Sequence, residues 1–217
     1  MYKLPIKSPN KPVLTQAYGN MSNNAWYHAN GINNAFHNGT DWVTGTPIQT
    51  YGTPLVSPFP EGAVVSDIVF DTPMSTKGNG VYVTSNLVGD TQYRAILWHT
   101  GEVAVTKGQT LKEGDLICYI GNSGLVSPAP TSDQPFNGSH LHFGLYKIKG
   151  GQYIYTPPTI MGETDPLLYF DQNQWYLGTD SGPTHDIEPL KWRWSLKGIK
   201  DWWLEFLDAL TYFNGNR

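Results

Sequence analysis

Between residues 41 and 146, apolar positions recur at every second residue in a series of short runs. "GAVVSDIVF", "GVYVTSN", "YRAILWHT" and "DLICYIG" alternate β-branched or aromatic residues with polar ones, which is the period of a half-buried strand. "PIQTYG" reads the same way. Gly and Asn-Gly pairs separate the runs, as hairpin turns require. No amphipathic helix interrupts the series, so the expected sheet is antiparallel rather than built from βαβ units. "VLTQAYG" (13–19) adds an opening strand, and the strand pattern ends near "DPLLYF" (165–170). Two stretches have no period. Residues 20–36 are rich in Asn and Gly, and residues 121–139 are rich in Pro and Ser. Both are read as long loops, which in compact domains are often functional.

The tail changes period. Leu196, Ile199, Trp202, Trp203, Phe206, Leu207 and Leu210 recur at helical spacing. They predict an amphipathic helix over 195–213, with Ser195 as its N-cap. The expected organisation is an extended arm over 1–12, a β domain over 13–170 and a Trp-rich extension over 171–217. The helix is expected to pack on the β domain; contact with a cell wall, a membrane surface or a larger assembly is the alternative.

Composition narrows the picture. A chain of 217 residues can bury a substantial core. Its 23 Gly, 16 Pro and 13% aromatic residues favour a mostly β fold with an antiparallel sheet or sandwich core. A net charge of −4 argues against nucleic acid as a partner. Cys118 is the one cysteine, so no intrachain disulfide can form, and its place in "DLICYIG" is that of a small core residue. No apolar run is long enough to cross a membrane, and the N-terminus carries no signal-peptide pattern. The chain is therefore expected to be made in a cytoplasm.

The candidate chemistry lies in two short stretches and one strand end. In "NGSHLHFGLY" (137–146), His140 and His142 stand two positions apart in strand-like text, and side chains two apart share a face. Two adjacent imidazoles on one face serve no core. "HNGTDW" (37–42) adds His37 and Asp41, with Gly39 between them allowing a tight turn. His99 closes "YRAILWH". Zinc accepts imidazole nitrogen and carboxylate oxygen. A catalytic zinc takes three protein ligands and keeps an open position, which leaves two of these five residues for proton transfer.

On these residues the chain resembles the lysostaphin-type zinc endopeptidases, which cut peptidoglycan peptides. "HNGTD" is similar to the family's first metal motif, His-x-Gly-x-Asp, and "GSHLHFGL" to its second, His-x-His. "GQTLKEGDLICYIGNSG" resembles the Gly-rich hairpin between them, "LTQAYG" the opening strand and "TDP" the closing segment. The resemblance spans residues 13–170. It implies that His37, Asp41 and His142 bind zinc and that His99 and His140 are catalytic. There are two departures. Leu97 stands where the family commonly has a Tyr two residues before its His. No Tyr lies in residues 31–36, so Tyr27 or His28 is left to assist the oxyanion. The implied partners are bacterial peptidoglycan peptides. Without an export signal, a phage endolysin or virion-associated lysin is expected, with phage tail or virion proteins as further partners; a secreted bacterial enzyme is the alternative. A catalytically silent member serving as a structural or wall-binding part is a second reading. A phosphocarrier is a third, disfavoured because passing phosphate between histidines needs no carboxylate ligand.

Overall fold

The computed structural model describes residues 1–29, 36–70, 76–159 and 162–178. Their strands are β1 (Tyr2–Lys3), β2 (Val13–Gln16), β3 (Thr40–Val43), β4 (Pro54–Val56), β5 (Ala63–Val69), β6 (Asn79–Thr84), β7 (Thr91–Val103), β8 (Thr110–Leu111), β9 (Leu116–Ile120), β10 (Leu141–Lys149), β11 (Gln152–Ile154) and β12 (Phe170–Asp171). Two short helices, α1 (Asn24–Ala29) and α2 (Pro47–Thr50), and a 3₁₀ turn (Pro166–Leu168) complete them. The fold is mostly β, as expected.

A main path runs β2-β3-β10-β7-β6-β5-β8, with β11 on β10, and with β9 joining β7 to β4. Every pairing in this sheet is antiparallel. The period-2 pattern explains the packing. In β10, Leu141, Phe143 and Leu145 are fully buried in the core, while His142 and Tyr146 take the opposite face. In β7, Ala95 and Leu97 face the same core. Leu97 opposes Phe143 in register, so the position where the resemblance expected a Tyr is a core position here. Cys118 is fully buried beside them, and burial pushes its thiol up, out of reach of nucleophilic chemistry.

Two local readings change. "PIQTYG" is not a strand: residues 47–50 form α2. Pro47 has no N–H for a ladder and fits the first turn of a helix, and the Thr46 N–H donates to Gln49 Oε1 at 2.9 Å to close the start. Residues 20–36 are not wholly irregular, since they contain α1, which opens with the Tyr27 N–H donating to the Asn23 carbonyl at 2.9 Å. The 121–139 stretch has no helix or strand, as expected. The helix expected over 195–213 lies outside the described residues.

The N-terminal segment is extended and sewn into the domain. β1 pairs in parallel with β12, and Leu4 and Ile6 are fully buried. Phe170 of β12 packs against Tyr2, Phe59 and Phe143, with ring centroids 5.4, 6.2 and 4.8 Å away. The chain start, β12 and the central strand β10 thus share one aromatic cluster. Phe170→Ala is expected to cost about 3–5 kcal/mol of stability, measured by urea unfolding. A loss below about 1 kcal/mol would show that β12 is dispensable to the core.

Candidate functional site

His142 sits in register between two neighbours. It opposes Asp41 of β3 on one side and Trp98 of β7 on the other. Cross-strand partners bring their side chains within contact distance, so the sheet itself delivers Asp41 to His142. His37 arrives from the loop before β3 and is clamped by the end of β2 and the turn after it. Its backbone N–H donates to the Asn20 carbonyl at 3.0 Å, its carbonyl accepts from the Gly19 N–H at 2.8 Å, and its ring Nδ1 bonds the Ala17 carbonyl at 3.2 Å. Gly39 lets this loop lie flat against β10. A Cβ there would stand 2.6 Å from His142 Nε2 and 2.8 Å from the Phe143 carbonyl, so no other residue fits.

The result is a triangle. His37 Nε2, Asp41 Oδ1 and His142 Nδ1 are each 3.1 Å from the other two. All three residues are buried, and each offers one ligand atom. A carbonyl can only accept, so the Ala17 contact makes His37 Nδ1 the protonated nitrogen and leaves Nε2 with its lone pair inward. Three mutually close acceptors are a poor hydrogen-bond arrangement but a good metal site. A tetrahedral zinc with bonds of about 2.0–2.1 Å spaces its ligand atoms about 3.4 Å apart. The donor set therefore fits zinc.

The other two histidines stand over this triangle with the same tautomer logic. His140 precedes β10 by one residue rather than lying in it, and its Nδ1 donates to the Gly138 carbonyl at 2.7 Å. His99 Nδ1 donates to the Ser123 carbonyl at 2.8 Å. In the neutral tautomer that these contacts select, the lone pair is on Nε2 of each ring. His140 Nε2 is 3.8 Å from Asp41 Oδ2, and the His99 and His140 rings are 4.6 Å apart. His99 is held at φ +58°, a conformation rare for a non-glycine residue. Its N–H donates to the Lys77 carbonyl at 3.3 Å, and its carbonyl accepts from the Gly121 N–H at 3.0 Å. Gly121 is required for that approach, because a Cβ would meet the Gly101 nitrogen at 2.4 Å.

Electrostatics follow from burial. Desolvation, aided by His140 and His142, pushes the His99 imidazole down to about 3, so it is neutral at any working pH. His142 is lowered mainly by burial, against the opposing pull of Asp41. Burial alone would raise the Asp41 carboxyl, but the adjacent His37, His142 and His140 rings outweigh it and hold it well below the usual carboxylate range. All three are in the forms that ligate or accept protons.

These residues line a cleft of about 340 Å³. Both long stretches supply walls, with Asn23, Tyr27 and Phe36 from one and Leu125, Val126 and Ser127 from the other. Tyr27 lines the cleft, and His28 is exposed outside it. The Tyr27 hydroxyl accepts from Gln16 Nε2 at 2.7 Å, and burial pushes its phenol up to about 12. The five expected residues all meet here. Sequence reasoning missed Trp98, which stacks on His142 at 4.9 Å and 15°, and Lys77, whose Nζ lies 4.9 Å from the Trp98 ring centroid. It also missed Asn38, Tyr146 and Glu163 of the cleft lining. Trp98 adjoins His99 and Asn38 adjoins His37, so motif proximity could have found them; nothing in the spacing links Glu163 to either motif.

Several solved structures are similar to this chain. One is a zinc-containing peptidase from Vibrio cholerae, 21% identical over 72% of this chain and 41% of that one, with a TM-score of 0.47. Another is the catalytic domain of the antimicrobial peptidase lysostaphin from Staphylococcus simulans, 19% identical over 72% and 90%, with a TM-score of 0.48. A third is the catalytic domain of the prophage-encoded M23 protein EnpA from Enterococcus faecalis, 22% identical over 73% and 91%, with a TM-score of 0.45. This chain thus spans less than half of the Vibrio cholerae peptidase and nine-tenths of the other two. No curated protein sequence matches it. The model of peptidase family M23 matches residues 35–155, which is more than half of the chain and includes both histidine motifs and His99. The chain belongs to peptidase family M23.

Proposed function

We propose that this protein is a zinc-dependent endopeptidase that hydrolyses peptide bonds in bacterial peptidoglycan. The observation that carries the reading is the 3.1 Å triangle of His37, Asp41 and His142 with two further imidazoles over it, set in an open cleft. Membership of the peptidase family and the resemblance of the two motifs to those of peptidoglycan endopeptidases supply the substrate class.

His37, Asp41 and His142 would hold the metal. Zinc, when bound, acidifies water and polarises the scissile carbonyl. The protein's own residues do the rest. His140 and His99 keep their Nδ1 protons on backbone carbonyls, so each Nε2 is free to take a proton from attacking water and return it to the leaving amine. Burial keeps the His99 ring neutral, so its Nε2 can accept a hydrogen bond from that water. The Tyr27 hydroxyl remains protonated and can donate to an oxyanion. Trp98 fixes the plane of His142 by stacking, and Gly39 keeps the ligand loop close. The Asn- and Ser-bearing walls offer hydrogen bonds to an extended peptide backbone.

Three outcomes are expected. Elemental analysis should find one zinc per chain, and a value near zero that added zinc does not restore would remove the reading. His99→Ala and His140→Ala should each retain zinc yet lose about 10²–10⁴-fold in turnover of soluble peptidoglycan peptides; either variant cleaving at the wild-type rate would withdraw its assigned role. Gly39→Ala should weaken zinc binding by about 10–100-fold, read by chelator competition, because its Cβ displaces His142. An unchanged zinc affinity would show that the loop can move aside.

A further inference from the structure

We infer that Glu163 forms a subsite for a primary ammonium group of the substrate, in the same cleft as the metal-ligand triangle. The inference rests on the peptidase reading above and names a chemical feature that the substrate must carry.

Glu163 is a buried acid without a cation. It is 1% exposed, yet it lines the cleft together with Asn38 and Tyr146. Its Oε1 accepts from Asn38 Nδ2 at 3.1 Å and from the Tyr146 hydroxyl at 3.4 Å. Its Oε2 is buried and has no hydrogen-bond partner. Among the described residues no Lys, Arg or His pairs with it. An acidic group removed from water with one oxygen unpaired is costly, and a buried group of this kind calls for a partner. Asp41, the other acid of the cleft, has three imidazoles around it. Lys77, the cation of the lining, sits over Trp98 and is engaged with that ring.

The placement fits an extended peptide. Tyr146 and Glu163 form a bridge, and Tyr146 lies four residues along β10 from His142 on the same face. At about 3.3 Å per residue that is about 13 Å along the strand. A peptide lying beside β10 therefore presents to Glu163 a group within about four residues of the bond held at the triangle. A primary ammonium is a compact point charge with three donors. Oε2 is enclosed, so the ammonium would take the place of the Tyr146 hydroxyl at its long 3.4 Å contact on Oε1 and reach Oε2 from there. Peptides carry this group in two places, as a free α-amine at a chain end or as the side-chain amine of a diamino acid.

Calorimetric titration of the zinc-supplemented full chain separates these sources. One pair of probes is triglycine amide and its N-acetyl form. The other is an N-acetylated, lysine-containing stem tripeptide and the same peptide acetylated at the lysine side chain. At least one free-amine member should bind about tenfold or more tighter than its acetylated partner. Discrimination within the first pair assigns the α-amine, and within the second the side-chain amine. Glu163→Gln, which keeps the shape and the Oε1 acceptor, should erase the difference. Equal affinities within both pairs in the wild-type chain overturn the proposal without recourse to any variant, as does discrimination that survives in a folded Glu163→Gln protein. The readout is binding rather than cleavage. Amine discrimination by a chain that hydrolyses none of these peptides or peptidoglycan would defeat the peptidase reading and leave the ammonium subsite standing.

Discussion

The structure turns on the register of β10 between β3 and β7. Because His142 opposes Asp41 on one strand and Trp98 on the other, one pairing supplies a ligand neighbour, a stacking partner and the face of the cleft. The buried set Leu141, Phe143 and Leu145 locks that register from the other side. A slip of one residue would turn the histidine into the core and a phenylalanine into the cleft. Core packing and site geometry are therefore the same constraint seen from two faces of one strand.

What the register assembles is costly by itself. Four imidazoles and a carboxylate crowd a mostly buried space, and each loses hydration there. The chain offsets this locally. Ala17, Ser123 and Gly138 carbonyls accept the Nδ1 protons of His37, His99 and His140. These contacts fix three tautomers with backbone atoms, which no substitution of those residues removes. They also aim the lone pairs of the same rings into one volume. Such a cluster of unprotonated donors suits a metal ion better than it suits an empty core.

The cleft is electrically uneven. The Lys77 ammonium and the Trp98 ring lie at the His142 end, and the Glu163 carboxylate lies four residues along β10 at Tyr146. An extended peptide bound beside β10 would meet a cation near one end and an anion near the other.

The amino-acid sequence by itself determined the mostly β fold, the separate strands β5, β6, β7, β9 and β10, and the five candidate residues that meet in the cleft. Each of these is written locally, as a period of two or as a motif of a few residues, and local signals survive in one dimension. It did not determine α2, because Pro47 and a Gln49 contact outweighed an apparent strand pattern. Nor did it reveal that His99 takes a left-handed backbone, or that Leu97 faces the core. The joining of β1 to β12 and the arrival of Glu163 beside Asn38, 125 residues away in the chain, were decided by tertiary structure alone. Such contacts depend on how strands pair across the sheet, and pairing partners leave no mark on the spacing of either segment. Even the strongest motif fixed only which residues could bind a metal. Their 3.1 Å separations came from two strands, a glycine that lets a loop lie flat, and a carbonyl that orients one ring.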